Sequence, residues 1–168
     1  MTRGKFPPPS TWLSIKECET AYTQLAKLPL VGEPLPDFDS RDPGKLEGIL
    51  GAVSQEVFGV QVHPTLLEAS SAYFVKLIKG HPLANGNKRS AILFTDVFLY
   101  LNGHQLHVPH KQMYALAILV AKEKKLAYDE LFTGVKLVFN QYIKPHKRNS
   151  WLDWRSLSFK WWQSWRKK

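Results

Sequence analysis

Along most of the chain apolar residues recur at three- and four-residue intervals, the period of helices with one face against a core. Ser14-Ile-Lys-Glu17 has capping-box spacing and predicts a helix running to about Leu28. An extended, proline-rich lead (Pro7, Pro8, Pro9) precedes it, and a loop punctuated by Pro29, Pro34 and Pro36 follows. Asp42-Pro43 reads as N-cap and first helical residue, with Leu46, Ile49, Leu50, Val53 and Val57 at helical spacing behind. The stretch "VFGVQVHP", residues 57–64, breaks that period. Val60 and Val62 alternate, Gly59 permits a turn and Pro64 stops the run, which predicts a short extended flap or small hairpin. Thr65-Leu-Leu-Glu68 opens another helix, for which Gly80 is the expected stop. Ala91, Ile92, Leu93, Phe94, Val97, Phe98, Leu99 and Leu101 are apolar almost all round, the mark of a buried central helix, and Asn102-Gly103 ends it. Two further helices are expected near 110–123 and 127–143. The body is therefore expected to be all-α with one extended element.

Between the Gly80 stop and the central helix lies "HPLANGNKRSA", residues 81–91. Gly86 can take a positive φ, which turns successive backbone N–H groups inward as an anion nest. The helix beginning near Asn87 or Lys88 adds its free N–H groups and the positive end of its dipole. Lys88 and Arg89 would lie in that first turn, where cations are disfavoured unless an anion compensates. His81 stands just before the pocket and, as an imidazole, is suited to act as a general base. A polar helix-to-helix turn without chemistry is the other reading, since Asn-Gly and His-Pro are common turn pairs. A Walker loop does not fit: Gly80 to Gly86 is one residue too long, and Arg89 separates Lys88 from Ser90.

Composition narrows the class. With 168 residues, 44% hydrophobic and 22% charged, the chain is expected to form one globular domain, and no run approaches a membrane span. The first residues lack an apolar signal core, so secretion is not expected. A single cysteine, Cys18, rules out an internal disulfide and a cysteine-rich metal site and fits a reducing cytoplasm. The net charge of +9 is uneven: residues 144–168 carry eight Lys/Arg against Asp153, leaving only +2 for residues 1–143. The chain divides accordingly into a body, 1–143, and a basic tail, 144–168.

The order of residues in the loop resembles the Fic/Doc signature, His-Pro-Phe, any residue, Asp or Glu, Gly-Asn, Gly or Lys, Arg. His81, Pro82, Gly86, Asn87, Lys88 and Arg89 stand in register with it. "RDPGKLEGIL", "FGVQVHPTLLEASSAYFVKLIKG" and "AILFTDVFLYLNG" resemble the family's flanking segments, so the likeness covers about residues 40–125. It implies an all-α Fic/Doc-type bundle of six to seven helices with a short β-flap before the active-site loop. Fic enzymes typically have Gly at the Lys88 position and a second Arg three residues after Arg89, and transfer AMP from ATP to a hydroxyl. Doc-type toxins have Lys there, lack that second Arg, and transfer the terminal phosphate of ATP to elongation factor Tu. Lys88, and Ile92 at the second position, favour the Doc side; Gly86, where some Doc sequences have Ala, leaves AMP transfer open.

The resemblance assigns His81 as catalytic base, Gly86, Asn87, Lys88 and Arg89 to the nucleotide phosphates, and Asn85 to the position of a Mg²⁺ ligand. Asn85 replaces an acidic residue, so metal affinity should fall, and a catalytically weakened binding module is a third reading. Leu83 stands where the family has Phe. The flap residues Val57, Phe58, Gly59, Val60, Gln61 and Val62 would hold the target segment by strand addition. No Ser/Thr-x-x-x-Glu-Gly/Asn self-inhibitory segment is found, so a separate antitoxin chain is expected. In "NSWLDWRSLSFKWWQSWRKK", residues 149–168, Trp151, Trp154, Trp161 and Trp165 fall roughly along one helical face. A basic, Trp-bearing helix suits a membrane surface, nucleic acid or an acidic partner; docking on the body or on a second copy is the alternative.

Overall fold

The computed structural model describes residues 6–27 and 34–146; the tryptophan-rich segment 149–168 lies outside them. Six α-helices are described: α1 (Ile15–Ala26), α2 (Lys45–Val53), α3 (Leu66–Gly80), α4 (Asn87–Leu101), α5 (His110–Lys122) and α6 (Tyr128–Tyr142). Two small antiparallel pairs accompany them: β1 (Glu56–Val57) with β2 (Val60–Gln61), and β3 (His104–Leu106) with β4 (Ile143–Pro145). The all-α expectation holds.

The caps form as the sequence predicts. Ser14 Oγ accepts from the Glu17 N–H while the Glu17 carboxylate accepts from the Ser14 N–H at 2.9 Å, closing a capping box. At α3 the expected capping box forms by half: Thr65 Oγ1 accepts from the Glu68 N–H at 3.2 Å, while the Glu68 carboxylate accepts from the Thr65 hydroxyl at 2.9 Å. The start of α2 differs from expectation. Asp42-Pro43-Gly44-Lys45 forms a turn closed by the Lys45 N–H on the Asp42 carbonyl, with Gly44 at φ 83°, ψ −18°. These are the angles of the third residue of a type II turn, a position that favours glycine. Gly44, not Asp42, is therefore the N-cap.

Helices α3 and α4 pack against each other at the centre. Nine residues of α4 between Ala91 and Tyr100 are buried, as its all-round apolar sequence requires. Helix α1 leans on α4, and α2 and α6 lean on α3. Aromatic contacts fill the seams: Tyr73 meets Phe98 edge-on at 4.9 Å, Phe74 meets Phe139 at 5.4 Å, and Trp12 stacks on Phe98 at 6.0 Å. The β3–β4 pair was not foreseen. It joins the chain just beyond α4 to the chain just beyond α6, so residues up to His146 lie against the body.

Candidate active site

The connection between α3 and α4 is built from three backbone constraints. The first falls on His81, which takes φ 45°, ψ 57° as the C-cap of α3. Among the described residues only His81 and Phe58 are non-glycine positions with positive φ. Gly80, expected to supply the left-handed stop, instead remains the last helical residue. Its missing side chain serves a close approach: a Cβ there would lie 2.7 Å from Ile49 Cδ1.

The second constraint is Gly86, at φ 74° the N-cap of α4. A Cβ on it would fall 2.3 Å from Leu35 Cδ2, so both backbone conformation and space exclude a side chain. The third is Asn87. Its Oδ1 accepts the Leu83 N–H and its Nδ2 donates to the Leu83 carbonyl, both at 2.9 Å. Asn87 thus staples the loop into a ring, and Leu83 is drawn into the core at 6% exposure. The apolar role expected of the family's Phe is filled by a smaller residue.

His81 is exposed and Asn85 through Arg89 are half-buried, so the loop presents its polar groups at a partly open surface. Lys88 and Arg89 occupy the first turn of α4, which holds no acidic residue. Two cations at the positive end of a helix dipole repel it and each other, an arrangement that a bound polyanion relieves. Arg89 also lies near the phenol of Tyr22, which burial pushes up and the Arg89 charge pulls down. Tyr22 donates to the Pro36 carbonyl at 2.8 Å, securing the segment whose Leu35 covers Gly86. Neither Tyr22 nor Leu35 was identifiable from the sequence, because each reaches the loop from more than fifty residues away. Asn85 Oδ1 accepts the Gly86 N–H at 2.6 Å. Among the described residues no three His, Cys, Asp or Glu side chains form a metal-binding group.

The flap is a two-residue hairpin, Glu56 opposite Gln61 and Val57 opposite Val60. Phe58 (φ 50°) and Gly59 (φ 79°) form its turn, both left-handed as a primed turn requires. Val57 therefore belongs to the hairpin, not to the α2 stripe. Phe58 is fully exposed, and Val57, Val60 and Val62 are 43%, 65% and 47% exposed. At its base His63 is buried against Phe132, ring centroids 5.6 Å apart. Burial, reinforced by the Lys76 charge and opposed by Glu68, pulls the His63 imidazole below its ordinary value.

A central helical pair, a histidine-led turn and a basic helix start define a helical protein whose loop has the chemistry to receive an anion. The model of the Fic/DOC family matches residues 12–99, and the chain belongs to that family. It is 36% identical over 66 residues to Toxin Doc of Mycolicibacterium smegmatis, covering 39% of this chain and 51% of that protein. It is 37% identical over 65 residues to the protein kinase doc of Escherichia phage P1, with the same shares. The chain therefore spans about half the length of the curated relatives it matches, and its likeness lies on the Doc side of the family.

Proposed function

We propose that the chain is a Doc-type toxin that transfers the terminal phosphate of ATP to a Ser or Thr hydroxyl of elongation factor Tu, blocking translation in the cytoplasm. The observation that carries the choice of reaction is Ile92. It occupies the position where AMP-transferring relatives are expected to hold a second arginine, and it is 1% exposed inside the core. A residue so buried offers nothing to a phosphate. Lys88 gives the same preference from the loop itself.

In the reaction the target hydroxyl oxygen attacks the terminal phosphorus while its proton passes to the His81 imidazole. The bond from that phosphorus to the bridging oxygen breaks, and its electron pair leaves with ADP. Lys88, Arg89 and the N–H groups of the α4 start neutralise the phosphates and hold them in line, and in phosphoryl transfer such positioning and charge stabilisation supply most of the catalysis. Exposed Val57, Val60 and Val62 offer the flap as an edge for an extended target segment. Mg²⁺, when bound with ATP, would neutralise phosphate charge and would need only one or two protein oxygens. Asn85, whose neutral Oδ1 accepts the Gly86 N–H, is the residue that would hold it. Restraint of the toxin falls to a separate antitoxin chain.

The test incubates the purified chain and elongation factor Tu with α- or γ-labelled ATP, beside a His81→Ala control. Label from γ alone, lost in the control, is the expected result. Label from α would replace this reading by AMP transfer, and no ATP binding with Mg²⁺ present would replace it by a binding module.

A further inference from the structure

His81 adopts a backbone conformation that costs a β-carbon-bearing residue about 1–2 kcal/mol, so something around it must hold it there. Left alone, a residue that precedes proline would relax to the extended region, and the imidazole would leave its place at the end of α3. The tether on its C-terminal side is the Pro82 carbonyl, which accepts the Asp42 N–H at 3.0 Å. On its N-terminal side Gly80 lies so close to α2 that a Cβ would sit 2.7 Å from Ile49 Cδ1. That is roughly 1 Å short of ordinary carbon–carbon contact.

Both partners come from one segment, Asp42 to Ile49. It is stiffened by the Lys45–Asp42 ion pair at 2.9 Å and by the Gly48 N–H on the Gly44 carbonyl at 2.8 Å. We infer that Gly80 and Ile49 form a positioning contact: the turn at Asp42 and the helix α2 that follows it hold the backbone on the two sides of His81 and thereby set where its imidazole stands. Because Gly80 itself is helical, its backbone conformation does not demand glycine; what a side chain there would meet is Ile49. The inference rests on the reading of His81 as the base, but only through its consequence for rate.

The experiment compares the full chain, Gly80→Ala and the double variant Gly80→Ala/Ile49→Val. The added methyl meets Ile49 Cδ1, so that side chain must turn aside or α2 and α3 must move apart, and the inference requires the second. Shortening Ile49 removes Cδ1 and leaves Cγ1 as its nearest atom, at 3.6 Å, an ordinary contact. The His81 ring resonances, little affected by the identity of the preceding residue, report where the imidazole stands, melting reports folding, and labelled transfer gives kcat and KM for ATP. Gly80→Ala is expected to move the His81 resonances and lower kcat on the order of ten- to a hundredfold, since a shift of about 1 Å can cost that much. KM for ATP should change little, and the double variant should restore both readouts.

Unmoved His81 resonances in Gly80→Ala overturn the inference, as do moved resonances or lost folding that the double variant fails to restore. Loss of folding in the single variant, recovered in the double with His81 at its original resonances, supports it. Moved resonances with unchanged kcat overturn the positioning role. Were the unmodified chain to transfer no phosphate, the proposed reaction would fail while the resonances still decided the contact.

Discussion

Replacing Asn87 by alanine removes both hydrogen bonds that close the ring in the loop between α3 and α4. The partners left behind are the N–H and C=O of Leu83, whose residue is buried at 6% exposure. Each bond contributes about 0.5–1.5 kcal/mol net, so the pair is worth about 1–3 kcal/mol. For a domain of this size that corresponds to a fall in melting temperature of roughly 3–9 °C. The loop would also lose the conformation that lines up His81 with the start of α4, and the transfer rate should drop by about 10- to 100-fold. Asn87→Asp keeps an acceptor for the Leu83 N–H but sets an oxygen against the Leu83 carbonyl, and should be no more stable than alanine. Thermal melting, exchange of the Leu83 amide and transfer kinetics together read the effect. If Asn87 acted only as a phosphate ligand, Asn87→Ala would raise KM for ATP and leave melting and exchange untouched. That result would refute the staple.

Three further substitutions probe other parts of the fold. Asp96, on α4, makes no ion pair among the described residues, and burial pushes its carboxyl up to about 8. A raised value means that its contribution to stability is full below the ordinary carboxylate range and is lost as pH rises toward 8. Part of the residue still reaches solvent, so Asp96→Asn should gain on the order of 2 kcal/mol at pH 9 and almost nothing at pH 4; urea titrations that differ equally at both pH values would contradict this. Gly86→Ala places a methyl on Leu35 Cδ2 in a left-handed position, and should destabilise by about 1–3 kcal/mol, part of it recovered by Leu35→Ala, as read by denaturant midpoints. Asn85→Asp should raise transfer at low Mg²⁺, and an unchanged Mg²⁺ titration would remove Asn85 from the metal's neighbourhood.

What could be read in advance was what depends on near neighbours in sequence. Ser14 with Glu17, and Thr65 with Glu68, state their caps within four residues. The all-round apolar run after Lys88 announces the central helix. The loop's residue order was enough to place the family. Legibility ended where a residue's role is set from far along the chain. Gly80 looked like a left-handed stop, but it is the last helical residue, close against Ile49, and the left-handed turn falls on His81. The order Gly-Asn-Lys-Arg likewise does not distinguish an asparagine that binds phosphate from one that staples Leu83. The Pro43-Gly44 turn was legible in principle, since that pair is a stronger turn signal than Asp-Pro is a cap. The β3–β4 pairing, between short segments separated by α5 and α6, carries no local mark.

At the far end of α4 from the loop, Asn102 accepts the N–H groups of Ser10 and Thr11 at 2.8 and 3.0 Å, and Gly103 accepts the His146 N–H at 2.7 Å. The segments flanking α1 and β4 are thus moored to the same corner. Fifteen residues of helix, about 22 Å, separate that corner from Asn87. For engineering, this makes the corner a handle: a fluorophore, surface tether or fused domain attached beside Ser10 or His146 would load the end of α4 remote from the His81–Arg89 loop.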